Sequence, residues 1–481
     1  MLTVLLILIP LITGLITFGL KGPGAKVFSL LSSLATLAVA AVAWTQFQSS
    51  PDSLQFTADW IPQLNSQFKV GLDGLSLMLV LLTTISFPLI FITVFSRSYD
   101  RAGSFYGLML LSQAGLLGVF LAYDALLFYF FWELALIPVY FLCSMWGGER
   151  AVPVTFKFFV YTFAGSLLML VGIIYIYFQT EGSFSWQSFT SLSLSNGEQS
   201  WLFWLFFVAF AIKMPVFPFH TWQPDTYEQS PTPVTMVLSG VMVKMGLFGV
   251  MRWLVPVLPQ GVYMWQEAAI VLSVIGIIYA SCIAIMQSDL KKLIAYSSIA
   301  HIGLMSAAIF ANNEQSLAGV QVQMFNHGIN IIGLWIIVEV IEQRLKVKNM
   351  GELGGIATYA PRLAILLVIV SLANIALPLT NGFIGEFLMF SGLFQYNPWF
   401  AAIAGIAVIL AAVYMLRMLQ KVLFGEANAL TATTTDLKSG EMLAMACIVA
   451  VIFVLGVYPK PLLDLAAGIG LQDAVAAVIT R

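Results

Sequence analysis

The sequence predicts an all-α polytopic membrane protein with about 14 transmembrane helices, and three observations carry that expectation. The 481 residues are 60% hydrophobic and only 9% charged, with mean hydropathy +0.93, whereas a soluble domain carries about 25% charge. Apolar runs close to the roughly 20 residues that a helix needs to cross a bilayer recur along the whole chain. Lysine and arginine are divided unevenly between alternate loops, as membrane topology requires.

The first run, MLTVLLILIPLITGLITFGLKG, has no basic residue ahead of it and is too long for a signal segment, so 2–20 reads as a retained first span. Further spans follow at 27–47, 73–96, 105–122, 124–146, 153–178, 200–222, 232–255, 265–286, 293–311, 316–341, 362–395, 399–424 and 441–458. The polar stretches 48–72 and 179–199 and the linker EQRLKVKNMGELGG (342–355) read as extramembranous, with no soluble domain. Two spans are irregular. The seventh carries Pro215 and Pro218, and the twelfth, too long for one straight helix, is interrupted at LPLTNG (377–382). Proline removes a backbone donor, and non-helical backbone at membrane depth is tolerated only inside protein or along a wet cavity.

With the N-terminus outside, 15 of the 21 basic residues fall on inner loops, while Lys69, Arg252, Lys460 and Arg481 fall outside. That bias puts both termini on the outer side. It leaves Lys213 and Lys244, which no loop claims. Among the acids, Glu133 (FYFFWELALIP) and Glu386 (GFIGEFLMF) lie deep in spans, and Glu339 lies near the inner end of span eleven. A charge at a helix centre costs roughly 2.5–3.5 kcal/mol on insertion scales, which points to function rather than stability.

A weak internal repeat fits this pattern. Spans five and ten each begin near an aspartate, Asp124 and Asp289, and spans seven and twelve are both interrupted, with Lys213 and Glu386 as their buried charges. Matching spans four to eight with nine to thirteen shifts by an odd number, so the halves are inverted. Interrupted segments in inverted halves point to a transport site. The expected divisions are 1–104, 105–255, 264–424 and 425–481, the last holding helix 14 and the tail.

Composition excludes other chemistry. Net charge is −2 without a basic cluster, so nothing favours nucleic acid. Cys143, Cys282 and Cys447 are scattered through apolar segments and read as packing residues. Without a Gly-rich phosphate loop, iron–sulfur motif or flavin motif, the chain is expected to hold no cofactor. Trp44, Trp60, Trp253, Trp265 and Tyr458 read as interface anchors.

The buried ionisable groups suit proton movement. Desolvation favours a neutral lysine and a nearby carboxylate the charged one, so moving Glu133 relative to Lys213 would change its hold on a proton; the alternative is a static ion pair. Lys244 (LSGVMVKMGLFG) could receive that proton, or merely snorkel. His301 (SSIAHIGLM) and His327 (QMFNHGINIIG) can donate and accept as a relay, or be hydrogen-bonded core residues. Glu386 could be an exit or uptake group, or stabilise its helix. His220 reads as structural or as lining an entrance. Asp225 and Glu228 are expected in an inner loop without basic partners.

Taken together, FWELALIPVYFL, KMPVFPFHTWQPD, SPTPVTMVLSGVMVKMG, DLKKLIAYSSIAHIG, FNHGI and NGFIGEF resemble the antiporter-like proton-pumping subunits of respiratory complex I, relatives of the large subunits of multisubunit Na⁺/H⁺ antiporters. The resemblance implies 14 helices, two inverted five-helix repeats with broken helices seven and twelve, and a buried line on which Glu133, Lys213, Lys244, His301, His327 and Glu386 fall. Glutamate rather than lysine at 386, and no long lateral helix after span fourteen, favour the M-type branch. Implied partners are neighbouring antiporter-like subunits, the lateral helix of the L-type subunit and the lipid bilayer. NADH, FMN, iron–sulfur clusters and quinone are implied to sit on other subunits. The implied location is the bacterial inner membrane.

Overall fold

The computed structural model describes residues 1–467, so Arg481 and most of the expected C-terminal tail lie outside the described residues. The chain is almost wholly helical, with one antiparallel hairpin, β1 (Phe56–Ile61) and β2 (Ser66–Val70), in the polar stretch after the second helix. The first helices are α1 (Leu2–Thr17), α2 (Pro23–Ser49), α3 (Gly74–Thr93), α4 (Ala102–Leu121), α5 (Ala125–Trp146) and α6 (Ala151–Gln179). A surface helix, α7 (Trp186–Ser191), precedes α8 (Asn196–Lys213) and the short α9 (Gln223–Gln229). Then come α10 (Thr232–Val257), α11 (Pro259–Met286), α12 (Leu290–Ala311) and α13 (Glu314–Leu345). The last are α14 (Pro361–Asn374), α15 (Asn381–Tyr396), α16 (Pro398–Leu423), α17 (Ser439–Val457) and α18 (Lys460–Ala467). Among the described residues eleven helices are long and apolar enough to cross a membrane, with α1 and α14 shorter apolar helices.

Helix starts follow local chemistry. Asp73 caps α3 by accepting from the Ser76 amide, and Asp124 caps α5 by accepting from the amides of Leu126 and Leu127. Asp289 caps α12 in the same way through Lys292. Asp124 and Asp289 also share a second feature: each forms an isolated β-bridge to a later loop, at Ser185 and Asn349.

Burial sorts the helices. α10 and α13 are wholly enclosed, whereas α6, α16 and α17 present rows of large apolar side chains such as Phe156, Val171, Ile409 and Val454 outward. Outward apolar faces and an enclosed polar centre are the arrangement a bilayer imposes. α10 is also not a regular helix. It widens into π turns at Leu238–Met242 and Val250–Leu254, which the sequence reading took for ordinary helix.

The two interruptions are built alike. α8 stops at Lys213, after which the Met214 amide bonds back to Phe210 and that of Val216 to Ala211. α14 stops at Asn374, and Ile375 bonds back to Ser371 and Leu377 to Leu372 with the same spacing. The carbonyls exposed just before each end find different donors: Trp222 Nε1 gives a 2.9 Å bond to Ile212 O, and Asn330 Nδ2 a 3.2 Å bond to Ala373 O. The second break spans 375–380, two residues earlier than expected. Asn374, rather than Glu386, stands at the place that Lys213 holds in the first break.

Candidate functional site

The enclosed helices α10 and α13 carry the centre of the site. The π turn at Leu238–Met242 redirects backbone carbonyls, and Lys244, just beyond it, donates to Ser239 O at 2.7 Å. Its Nζ also lies 2.9 Å from Nδ1 of His327 on α13. The ring of His327 faces that of His301 on α12, with centroids 5.5 Å apart. His301 Nδ1 lies 3.0 Å from Glu386 Oε1 on α15. Four residues from four helices thus form a buried series, Lys244–His327–His301–Glu386. Charge-assisted bonds join its two ends, and two imidazoles tilted at 50° to each other meet in its middle.

Neutral side chains complete the outer half. Gln323 Nε2 donates to Glu386 Oε1 at 3.4 Å. Asn374 Nδ2 lies 3.4 Å from His301 Nε2 and 3.1 Å from Ser297 Oγ, which also accepts from Tyr414 at 3.1 Å. A cavity of about 20 Å³ beside Glu386 and His301 has room for one water. Sequence reading missed Asn374, Gln323, Ser297 and Tyr414 because an uncharged side chain raises no alarm in an apolar segment. The one available signal was Asn374 at the edge of the helix break.

The inner half is looser. Lys213 is 1% exposed, and its Nζ has no hydrogen-bond partner among the described residues. It sits over the Trp132 ring, 5.5 Å from the centroid, a cation–π arrangement. Glu133, next to Trp132 on α5, makes no ion pair with it, and among the described residues Glu133 Oε1 is also buried without a partner. The two are near neighbours held out of contact. α8 and α10 approach so closely that a Cβ on Gly246 would stand 2.7 Å from Phe210 O. His220 is buried in the irregular segment after α8 against Phe217 and Tyr279, apart from the series.

Several expectations need correction. Asp225 and Glu228 do have basic partners: Lys157 lies 3.1 Å from Asp225, and Glu228 takes Lys348 at 2.7 Å, Lys292 at 3.1 Å and Arg150 at 3.5 Å. These partners come from distant loops that folding gathers. Burial alone would raise the Glu228 carboxyl, but Lys348 and Lys292 outweigh it and hold the group below its usual range. Arg252 and Lys291, counted with the loops, are buried as well, paired with Asp73 and with Glu342 (2.8 Å). Glu339 is buried and paired with Arg97 at 2.6 Å. Trp253 is no interface anchor, being buried against Phe128 and Phe189. Cys143 is buried, whereas Cys282 and Cys447 face outward. Among the described residues no three His, Cys, Asp or Glu converge as a metal site.

Comparison with known proteins bears on the same helices. Residues 122–412 match the family model described as NADH:quinone oxidoreductase/Mrp antiporter, TM. The chain is 37% identical to NADH-quinone oxidoreductase subunit M of Rhodobacter capsulatus, over 92% of this chain and 88% of that one. It is 33% identical to the subunit M of Escherichia coli, over 95% of each. In fold it is similar to a chain of respiratory complex I from Thermus thermophilus, with TM-score 0.91 and 28% identity over 99% of this chain and 100% of that one. The match takes in α5 to α15 and therefore all six candidate residues. The chain is thus a multi-pass membrane protein belonging to the NADH:quinone oxidoreductase/Mrp antiporter family.

Proposed function

We propose that the chain is an M-type proton-translocating subunit of an NADH:quinone oxidoreductase in a bacterial inner membrane. In this reading it moves protons from the inner to the outer side while the redox cofactors work on other subunits. The observation that carries this reading is the buried series Lys244–His327–His301–Glu386, in which each neighbouring pair is in hydrogen-bond or ring contact. A lysine ammonium and a carboxylate flanking two imidazoles can pass one proton from end to end once the rings close the gap between them, His327 Nε2 having no hydrogen-bond partner among the described residues. Lys213 is the loading group of the inner half, and Glu133, close by but unpaired, is the charge whose approach or retreat sets whether Lys213 keeps its proton.

The wider architecture is read in the same way. The helices make 14 crossings with both termini outside, α8 with the irregular segment after it and α14–α15 being discontinuous crossings at equivalent points of inverted halves. The paired caps Asp124 and Asp289, with their matching bridges, support that repeat. The partners are neighbouring antiporter-like subunits and the lateral helix of the L-type subunit, packed on the outward apolar faces.

The test is His327→Leu in the whole enzyme in inverted membrane vesicles. Quinone reduction should persist while proton uptake into the vesicles falls to background. Undiminished proton uptake at normal assembly would overturn the relay.

A further inference from the structure

The buried series contains a conflict at His301. A charged Lys244 can only donate to Nδ1 of His327, so a neutral His327 then carries its hydrogen on Nε2, a buried atom with no partner among the described residues. To pass that hydrogen onward, His327 needs a free acceptor on His301. Nδ1 of His301 faces Glu386, so only Nε2 remains. Yet Nε2 lies against the Asn374 amide nitrogen, a donor. While that donor is in place, His301 holds its hydrogen on Nδ1, the form able to receive at Nε2, but the Nε2 lone pair is occupied by the amide and not by His327.

We infer that Asn374 is a positioning residue that holds His301 in its Nδ1–H tautomer and, by covering or releasing Nε2, gates proton transfer between the two histidines. The inference rests on the relay reading above and adds a gate to it. Asn374 is 4% exposed and is the last helical residue before the second break. A small change in the break therefore turns the amide without displacing a packed helix.

The step balances. Lys244 gives its proton to His327 Nδ1, and His327 gives its Nε2 hydrogen to His301 Nε2. His301 then gives its Nδ1 hydrogen to the Glu386 carboxylate. One proton leaves Lys244, one arrives at Glu386, and both imidazoles end neutral in the opposite tautomer. Asparagine is suited to both ends of this cycle: its nitrogen donates to the first tautomer of His301, and its oxygen accepts from the second after a half-turn of the amide.

Asn374→Leu and Asn374→Asp in the whole enzyme separate the possibilities. Leucine neither donates nor accepts, so His301 is divided between its tautomers. Aspartate accepts only, pins the hydrogen on Nε2 and favours a charged ring. Apart from position 374, the titratable groups facing His301 are Glu386 from α15, His327 from α13 and, behind it, Lys244 from α10, together with Tyr414 from α16. α11 contributes only the uncharged Ile277 and Ser281.

Proton translocation per quinone reduced should fall about twofold in Asn374→Leu, where about half of the rings keep the receptive tautomer, and further in Asn374→Asp. Only the aspartate variant should move the pH profile of translocation to higher pH. NADH oxidation with an artificial acceptor should stay at the parent rate in both. Equal losses with an unshifted profile would mean that Asn374 is merely structural, and parental translocation would mean that it has no role. His327→Leu serves as the control for the relay itself: if it pumps normally, the relay fails whatever Asn374 does.

Discussion

Lys244→Met removes the charge while keeping an unbranched side chain one atom shorter, and its consequences follow from two distances. Lys244 Nζ bonds to Ser239 O at 2.7 Å and lies 2.9 Å from His327 Nδ1. Losing it orphans two buried polar atoms, at about 1–3 kcal/mol each. Against that stands relief of the desolvation penalty of a buried ammonium, several kcal/mol in its own right. The two effects oppose each other at similar size, so the variant should assemble with a small change in stability. Proton transfer has no such compensation, because a thioether cannot carry a proton. Quinone reductase activity and proton uptake are measured on the same vesicles. The expected result is retained redox turnover with proton uptake at background. The double variant with His327→Leu should be no worse than either single one, since members of one series fail as a unit. Normal uptake by Lys244→Met, with the subunit present in the membrane, would refute the reasoning.

Two further outcomes follow from packing and charge. Gly246→Ala sets a Cβ 2.7 Å from Phe210 O and from Met214 Cβ, forcing α8 away from α10; it should cost about 1–3 kcal/mol and lower the thermal midpoint of the solubilised enzyme. Glu228→Gln breaks pairs with Lys348, Lys292 and Arg150, each worth up to about 1 kcal/mol at partly exposed positions. Because the Glu228 carboxyl is held below its usual range, its stabilisation is full above the unfolded carboxylate value of about 4.3 and is lost as pH falls through the lower folded value. The difference in thermal midpoint between parent and Glu228→Gln should therefore be large at pH 7 and shrink in strong acid.

The fold class was legible because a bilayer imposes a coarse rule: apolar runs of one length, with lysine and arginine sorted by side. The charged candidates stood out for the same reason, since Lys213, Lys244, Glu133 and Glu386 break that rule; the structure joins Lys244 and Glu386 to one buried series and leaves Lys213 and Glu133 apart from it. Arg252 and Lys291 escaped it because they lie near helix ends, where sequence alone cannot separate a loop charge from one folded inward against Asp73 or Glu342. The π turns of α10 also left no mark, because LSGVM and VMRWL are as compatible with α-helix as with a widened turn. The partners of Glu228 were hidden by distance along the chain. Asn374 was passed over because sequence reading weighs charge, whereas a proton relay also depends on neutral donors that fix which ring nitrogen is free.

In the proposed relay, the charges of the series impose an order on its steps. Passing a proton from Lys244 to Glu386 turns an ammonium and a carboxylate into two neutral groups, which a low-dielectric interior tolerates well. Passing a proton from Lys213 to Lys244 relocates a positive charge from one buried amine to the other, so Lys244 must already be neutral. Discharge to Glu386 therefore has to precede reloading from Lys213, and a block at the outer end should silence the inner one. Glu386→Gln removes the charge that draws the proton outward and leaves Lys244 charged. It should lose translocation as fully as Lys213→Met, and the two changes together should cost no more than either alone. Additive losses in the double variant would mean that the two halves work independently, and the obligatory order would fall.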